Sequence, residues 1–185
     1  MIRRAATILA ATAALLLATP SMAKTLHIVA IGASNTHGFY AGGEAAYPAQ
    51  LQQLLKQKGI DAEVTNAGVP FDTTATMLAR IDRDVPKGTD IVILQPGAND
   101  RRFFISREKR AANLAEMERR LRARGIKVVV YDEEIPWRYY AFDFIHLTRE
   151  GHAMIAAALL PRIMAVAGRA PAPETPQGKT PQAAR

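Results

Sequence analysis

The sequence predicts an α/β sandwich built on a parallel sheet of four to five strands. Three observations point there. Short β-branched runs alternate with longer stretches of helical period, the pattern of a parallel sheet covered by helices. Each short run is largely apolar, as strands buried on both faces are. Polar, glycine-containing clusters then follow the runs, where an open α/β sheet keeps its ligand-binding loops.

The strands fall at residues 26–31, 63–66, 91–95 and 127–131. Between the first two, Tyr47, Leu51, Leu54 and Leu55 recur at helical spacing, with Pro48 near the start and Gly59 past the end. A second stripe, Thr74, Met77, Leu78 and Ile81, follows Asp72 as its N-cap and closes before Pro86. Leu114, Met117 and Leu121 form a third stripe, ended by Gly125. Ile155, Leu159, Ile163 and Val166 form a fourth, capped by Thr148 and expected to bend near Pro161, which lacks a backbone donor. These apolar residues are core.

The ends read differently. Arg3 and Arg4 precede an apolar run to Ala18, and Ser21-Met22-Ala23 supplies the small residues of a cleavage site. Residues 1–23 therefore read as a signal peptide, too short in its uncharged part to serve as a comfortable membrane anchor. The expected location is periplasmic or secreted. Residues 24–169 are long enough for one domain. Residues 170–185, with Pro171, Pro173, Pro176 and Pro181 and no large apolar side chain, read as a disordered tail.

The chain has no cysteine, so neither a disulfide framework nor a thiol nucleophile is available. Its net charge of +7 falls by two when Arg3 and Arg4 leave with the leader. That excess favours weak contact with an anionic membrane surface or acidic substrates. Much of it lies between Arg101 and Arg124, interleaved with Glu108, Glu116 and Glu118, as on a solvated helix face. No nucleic-acid recognition motif is present. The histidines lack metal-ligand spacing, so no metal is expected.

Four polar clusters can converge on the carboxyl edge of the sheet. They are Gly32-Ala33-Ser34-Asn35-Thr36, Asn66-Ala67-Gly68, Gly97-Ala98-Asn99-Asp100 and Asp143-Phe144-Ile145-His146-Leu147. A serine hydroxyl needs a base, and His146 is the natural one, with Asp143 three residues earlier to fix its tautomer. Oxyanion donors follow from topology: the N–H groups of Ser34 and Gly68 and the side-chain amide of Asn99. Asp100 has the simpler task of tying down its loop. His27, His37 and His152 lack such partners and read as structural or exposed, with His37 within reach of the pocket rim.

These clusters resemble the blocks of the SGNH (GDSL-like) hydrolases, within them the bacterial arylesterase, thioesterase and lysophospholipase group. IGASNTHGFYAGGEAAYPAQL, NAGVPFDTT, LQPGANDRR and DFIHLTREGH stand in family order between about Leu26 and Leu160. The resemblance implies a three-layer α/β/α, flavodoxin-like fold, hydrolysis of carboxylic or thioesters on a small-molecule or lipid substrate, and no cofactor. It makes Ser34, Gly68, Asn99 and His146 the name-giving residues and Asp143 the triad acid. Ala33 and Asn35 stand where the family has Asp and Leu. Only 42 residues separate Asp100 from Asp143, so the family's further helix and fifth strand have no room.

Trp137, Tyr139, Tyr140 and Phe142 crowd the presumed acid and base. They serve either as an acyl or aryl pocket or as a patch over the core where the missing layer would be. The shortened chain and Ala33 motivate one rival, a binding module that keeps the fold without turnover. A phosphate or nucleotide binder is disfavoured, because the first loop has neither G-x-G-x-x-G nor a Walker lysine.

Overall fold

The computed structural model describes residues 24–169; the leader and tail expected from the sequence lie outside them. Four parallel strands, β1 (Leu26–Gly32), β2 (Ala62–Gly68), β3 (Ile91–Gln95) and β4 (Lys127–Val130), form one sheet in the order β2-β1-β3-β4. The register runs Ile28 to both Val64 and Ile91, and Ile91 to Lys127. Within the predicted range of four to five strands, the sheet has four.

Alternation along the strands assigns the two faces. Ile28, Ala30, Ile91, Ile93 and Val129 point to one side, against α2 (Tyr47–Gln57) and α6 (Arg149–Ala167). Val29, Ile31, Val92 and Leu94 point to the other, against α3 (Thr74–Asp84) and α5 (Arg107–Ala123). Helices on both faces of one parallel sheet make the α/β/α sandwich. Two single-turn helices, α1 (Ser34–His37) and α4 (Asn99–Arg102), begin immediately after β1 and β3 at the carboxyl edge.

Two local expectations need correcting. β2 pairs over Ala62–Gly68 rather than 63–66; as an edge strand it is largely exposed, so its extent is written in hydrogen bonds to β1 and not in apolar residues. The N-cap of α3 is Thr73, whose hydroxyl accepts from Thr76 N at 3.3 Å, because the Asp72 carboxylate is engaged by Arg80. α6 runs as one helix through Pro161, closed by a left-handed Gly168. On α5, Glu116 pairs with Arg119 and Arg120, and Glu118 with Arg122, as a solvated face should.

Candidate active site

Ser34 is the first residue of α1, directly past the end of β1, so its backbone N–H has no partner within the helix. The turn is tight: a Cβ on Gly32 would lie 1.9 Å from Thr36 Oγ1, a position only glycine can occupy. Thr36 is buried, and its hydroxyl donates to Gln95 Oε1 at 2.6 Å, bolting this loop to the end of β3.

The second loop is held by two buried polar nodes. Arg80 Nε donates to Asp72 Oδ2 and Nη1 to Asp84 Oδ2, both at 2.6 Å, while Nη2 reaches Ala67 O at 2.9 Å and Gly32 O at 3.2 Å. One guanidinium thereby ties the ends of β1 and β2 together. Asp100 accepts from Thr74 Oγ1 at 2.6 Å, and Asn113 donates to that hydroxyl at 3.0 Å. Asp100 ties down its loop as the sequence suggested. Beside it, Asn99 Nδ2 donates to Asp72 O at 2.8 Å, which fixes the amide and leaves its second hydrogen uncommitted to that bond.

The fourth loop closes on itself: Ala141 N donates to His146 O at 2.7 Å and Thr148 N to Tyr139 O at 2.9 Å. Inside it, Asp143 Oδ1 accepts the N–H groups of Ile145 and His146, both at 3.0 Å, and Oδ2 lies 2.5 Å from His146 Nδ1. Burial works to raise the Asp143 pKa; the N–H of His146, its imidazole and the N–H of Ile145 outweigh it and hold the carboxyl at about 2. Asp143 is thus anionic at neutral pH, and the imidazole it holds through Nδ1 keeps Nε2 free.

Asn35 joins the first and fourth loops. Its Oδ1 accepts from Leu147 N at 3.1 Å and its Nδ2 donates to Ile145 O at 3.3 Å, gripping the peptides on either side of His146. In the sequence this residue stands out only as a departure from the family. Phe39 was also missed: it stacks on the imidazole at 4.5 Å, with Tyr40 edge-on at 5.3 Å. Lying five and six residues after Ser34, these rings carried no signal in sequence, since helical or strand period does not apply in a loop.

Ser34, Asn99 and His146 line one small cleft. Its walls are Phe39, Pro70, Phe71 and Ile145, with Arg102 as its cation. Gly68 stands differently from the expectation. Its N–H donates to Asn66 Oδ1 at 3.0 Å, and a Cβ there would meet His37 N at 2.2 Å. Close approach to the first loop explains that glycine. The predicted aromatics also lie elsewhere: Tyr139 and Tyr140 pack on the α2/α6 side of the core, and Trp137 is exposed. Phe142 touches Tyr40 at 5.5 Å but does not line the cleft. Of the other histidines, His27 faces Glu63 at 3.4 Å, His37 is exposed and His152 is fully buried. A larger apolar groove beside the far end of α6, between Lys58 and Arg169, contains neither nucleophile nor base.

The sequence profile described as the GDSL-like Lipase/Acylhydrolase family matches residues 30–133, more than half of the chain. Asp143 and His146 lie beyond that match. An arylesterase of Vibrio mimicus is 28% identical over 113 residues, 60% of this chain and 56% of that protein. Esterase TesA of Pseudomonas aeruginosa is 30% identical over 128 residues, 69% of this chain and 63% of that protein. The chain thus spans less than two thirds of the length of either relative. Among solved structures, TesA superposes with a TM-score of 0.70 at 20% identity, covering 76% of this chain and 99% of that one. AlinE4, described as an SGNH-hydrolase family esterase, gives 0.57 at 27% identity, covering 77% of this chain and 74% of that one.

Proposed function

The chain belongs to the GDSL-like lipase/acylhydrolase family, and on that premise we propose that it is a serine hydrolase of carboxylic or thioesters, with Ser34, His146 and Asp143 as its triad. The observation that carries this reading is the pairing of Asp143 with His146 Nδ1, beside a cleft that Ser34 shares with the imidazole. That pairing makes Nε2 the proton acceptor, the role a weak hydroxyl nucleophile requires.

In the first half-reaction Ser34 Oγ bonds to the carbonyl carbon and His146 Nε2 takes the hydroxyl proton. Collapse breaks the bond to the leaving alcohol or thiol, which receives that proton. Water then adds to the acyl-enzyme, losing its proton to the same nitrogen; the acid departs and Ser34 Oγ is reprotonated. The Ser34 N–H and the free hydrogen of Asn99 Nδ2 stabilise the oxyanion, each donor contributing about 3 kcal/mol. Gly68 is the weaker candidate for a third donor, because Asn66 competes for its N–H. The small cleft suits short acyl chains, and Arg102 at its wall suits a substrate carrying negative charge.

The reading includes export through residues 1–23, a catalytic domain over 24–169 and an appended tail over 170–185. One observation favours the rival binding module: among the described residues, no hydrogen bond joins Ser34 Oγ to His146. Such bonds commonly tighten only when substrate arrives.

Fluorophosphonate labelling of the purified protein separates the two, run beside Ser34→Ala and with p-nitrophenyl acetate and butyrate as substrates. Labelling and turnover that vanish in Ser34→Ala are expected. A folded protein that neither labels nor turns over would instead be the binding module.

A further inference from the structure

Four non-glycine residues among those described hold a left-handed backbone: Tyr40 (φ 65°), Phe71 (68°), Phe104 (58°) and Phe144 (55°). All four are aromatic, and they are 57, 67, 97 and 75% exposed. Each stands in a different loop, one following each strand, at the carboxyl end of the sheet. A positive φ is unfavourable for any side chain with a Cβ and unusual for a bulky one, which is why glycine and asparagine dominate such positions. Holding an aromatic ring in water is unfavourable as well. Both costs fall on the same four residues; Tyr40 packs on Phe142 and His146, while Phe104 is 97% exposed.

The other large apolar side chains exposed among the described residues, including Phe103, Trp137 and Phe142, lie in the same loops. Arg101 and Arg102 directly precede Phe103 and Phe104, and Arg138 and Arg149 are exposed at the same end. None of these four arginines is in an ion pair among the described residues, whereas Arg119, Arg120 and Arg122 of α5 are tied to Glu116 and Glu118. Exposed apolar surface of this extent marks an interaction site. Phe39 and Phe71 line the cleft and Tyr40 packs on His146; Phe104 and Phe144 stand on separate loops of the same edge. Two copies meeting symmetrically through this face would bring two sets of unpaired arginines into one interface, so an anionic partner fits better than a second copy.

We propose that the carboxyl end of the sheet docks on an anionic phospholipid surface, the aromatic tips entering the interfacial layer while Arg101 and Arg102 meet lipid phosphates. The cleft then opens toward the lipid. Docking is separate from the chemistry of Ser34, so it stands or falls on binding alone.

Vesicle flotation tests it, using phosphatidylcholine vesicles with and without phosphatidylglycerol. The chain's single tryptophan, Trp137, is a reporter within the same face. Wild type and Ser34→Ala should both float with the anionic vesicles, and Trp137 emission should move to the blue. Phe104→Gly removes the most exposed ring while relieving its backbone, so its thermal midpoint should hold or rise as vesicle partition falls about tenfold. Arg101→Glu should weaken binding to the anionic vesicles alone, by an amount that salt diminishes.

Every sample keeps the same N-terminus, so any affinity of residues 1–23 is common to all. Binding with Trp137 emission unmoved would place the contact elsewhere and overturn the proposal. So would undiminished partition of Phe104→Gly, or a stable dimer in sedimentation equilibrium that Phe104→Gly disrupts.

Discussion

Replacing Asn35 by leucine, the residue its family carries there, should slow catalysis far more than it weakens substrate binding. The side chain spans from the position beside Ser34 to the loop bearing His146, through bonds of 3.1 Å to Leu147 N and 3.3 Å to Ile145 O. Leu147 is fully buried, so its N–H loses a partner that water cannot readily replace. An unsatisfied buried donor costs about 1–3 kcal/mol, and the second, longer bond contributes about 0.5–1 kcal/mol. If about 2–3 kcal/mol of that total is spent holding His146 over the cleft, kcat should fall roughly 30- to 160-fold. KM should move little, because neither atom of Asn35 faces the substrate cleft. Asn35→Asp keeps the acceptor for Leu147 N and should recover part of the loss. The assay is p-nitrophenyl butyrate hydrolysis across substrate concentration, with thermal melts alongside. A kcat within twofold of wild type and an unchanged melt would refute the clamp.

Arg80→Met should destabilise the fold by about 3–5 kcal/mol, since it strands the buried Asp72 carboxylate and releases the ends of β1 and β2; a urea midpoint that does not fall would contradict this. His152, fully buried, has its pKa pushed down by burial to about 4, so below about 6.5 the unfolded chain binds the proton that the folded chain refuses. Stability should therefore drop by roughly 3 kcal/mol as pH falls from 6.5 to 4, and His152→Gln should flatten that part of the curve in denaturation measured against pH. Gly68→Ala should lower the yield of folded protein sharply, because its Cβ would sit 2.2 Å from the His37 backbone nitrogen, an atom with nowhere to go; a normal melt for this variant would show the loop to be softer than it looks.

The sandwich was legible because its signals are local. β1, β3 and β4 are apolar on both faces, and Leu51, Leu55, Met77, Ile81, Leu121 and Leu159 fall at helical spacing and prove fully buried. β2 reads short in the sequence because an edge strand exposes polar residues, and pairing is not a property of one segment. Asp72 illustrates competition: it has the chemistry of an N-cap, yet a guanidinium eight residues away binds it more strongly than a helix terminus would. In the candidate site, residue type singles out Ser34, Asn99, Asp143 and His146, and the fold brings them to one sheet edge. Their connections stayed hidden. Asn35 to Leu147 is a contact across 112 residues, and no local pattern encodes it. The exposed aromatics were hidden for the opposite reason: backbone propensity would give Tyr40, Phe71, Phe104 and Phe144 any conformation but the one they hold.

A shortened sandwich poses a mechanical problem that these contacts answer. β4 ends the sheet at the side from which the fourth loop departs, and among the described residues no further strand lies beyond it to brace the 131–148 segment. A free loop of that length would cost His146 its position. Two devices stand in for the missing strand. The loop is pinched by the antiparallel bridge between Tyr140 and Leu147, so its tip is short, and Tyr139 and Tyr140 anchor its base on the core. Asn35 then fastens the tip to the turn that carries Ser34. A leucine at position 35 could pack but not grip, so the polar residue here supports a loop that no neighbouring strand among the described residues braces.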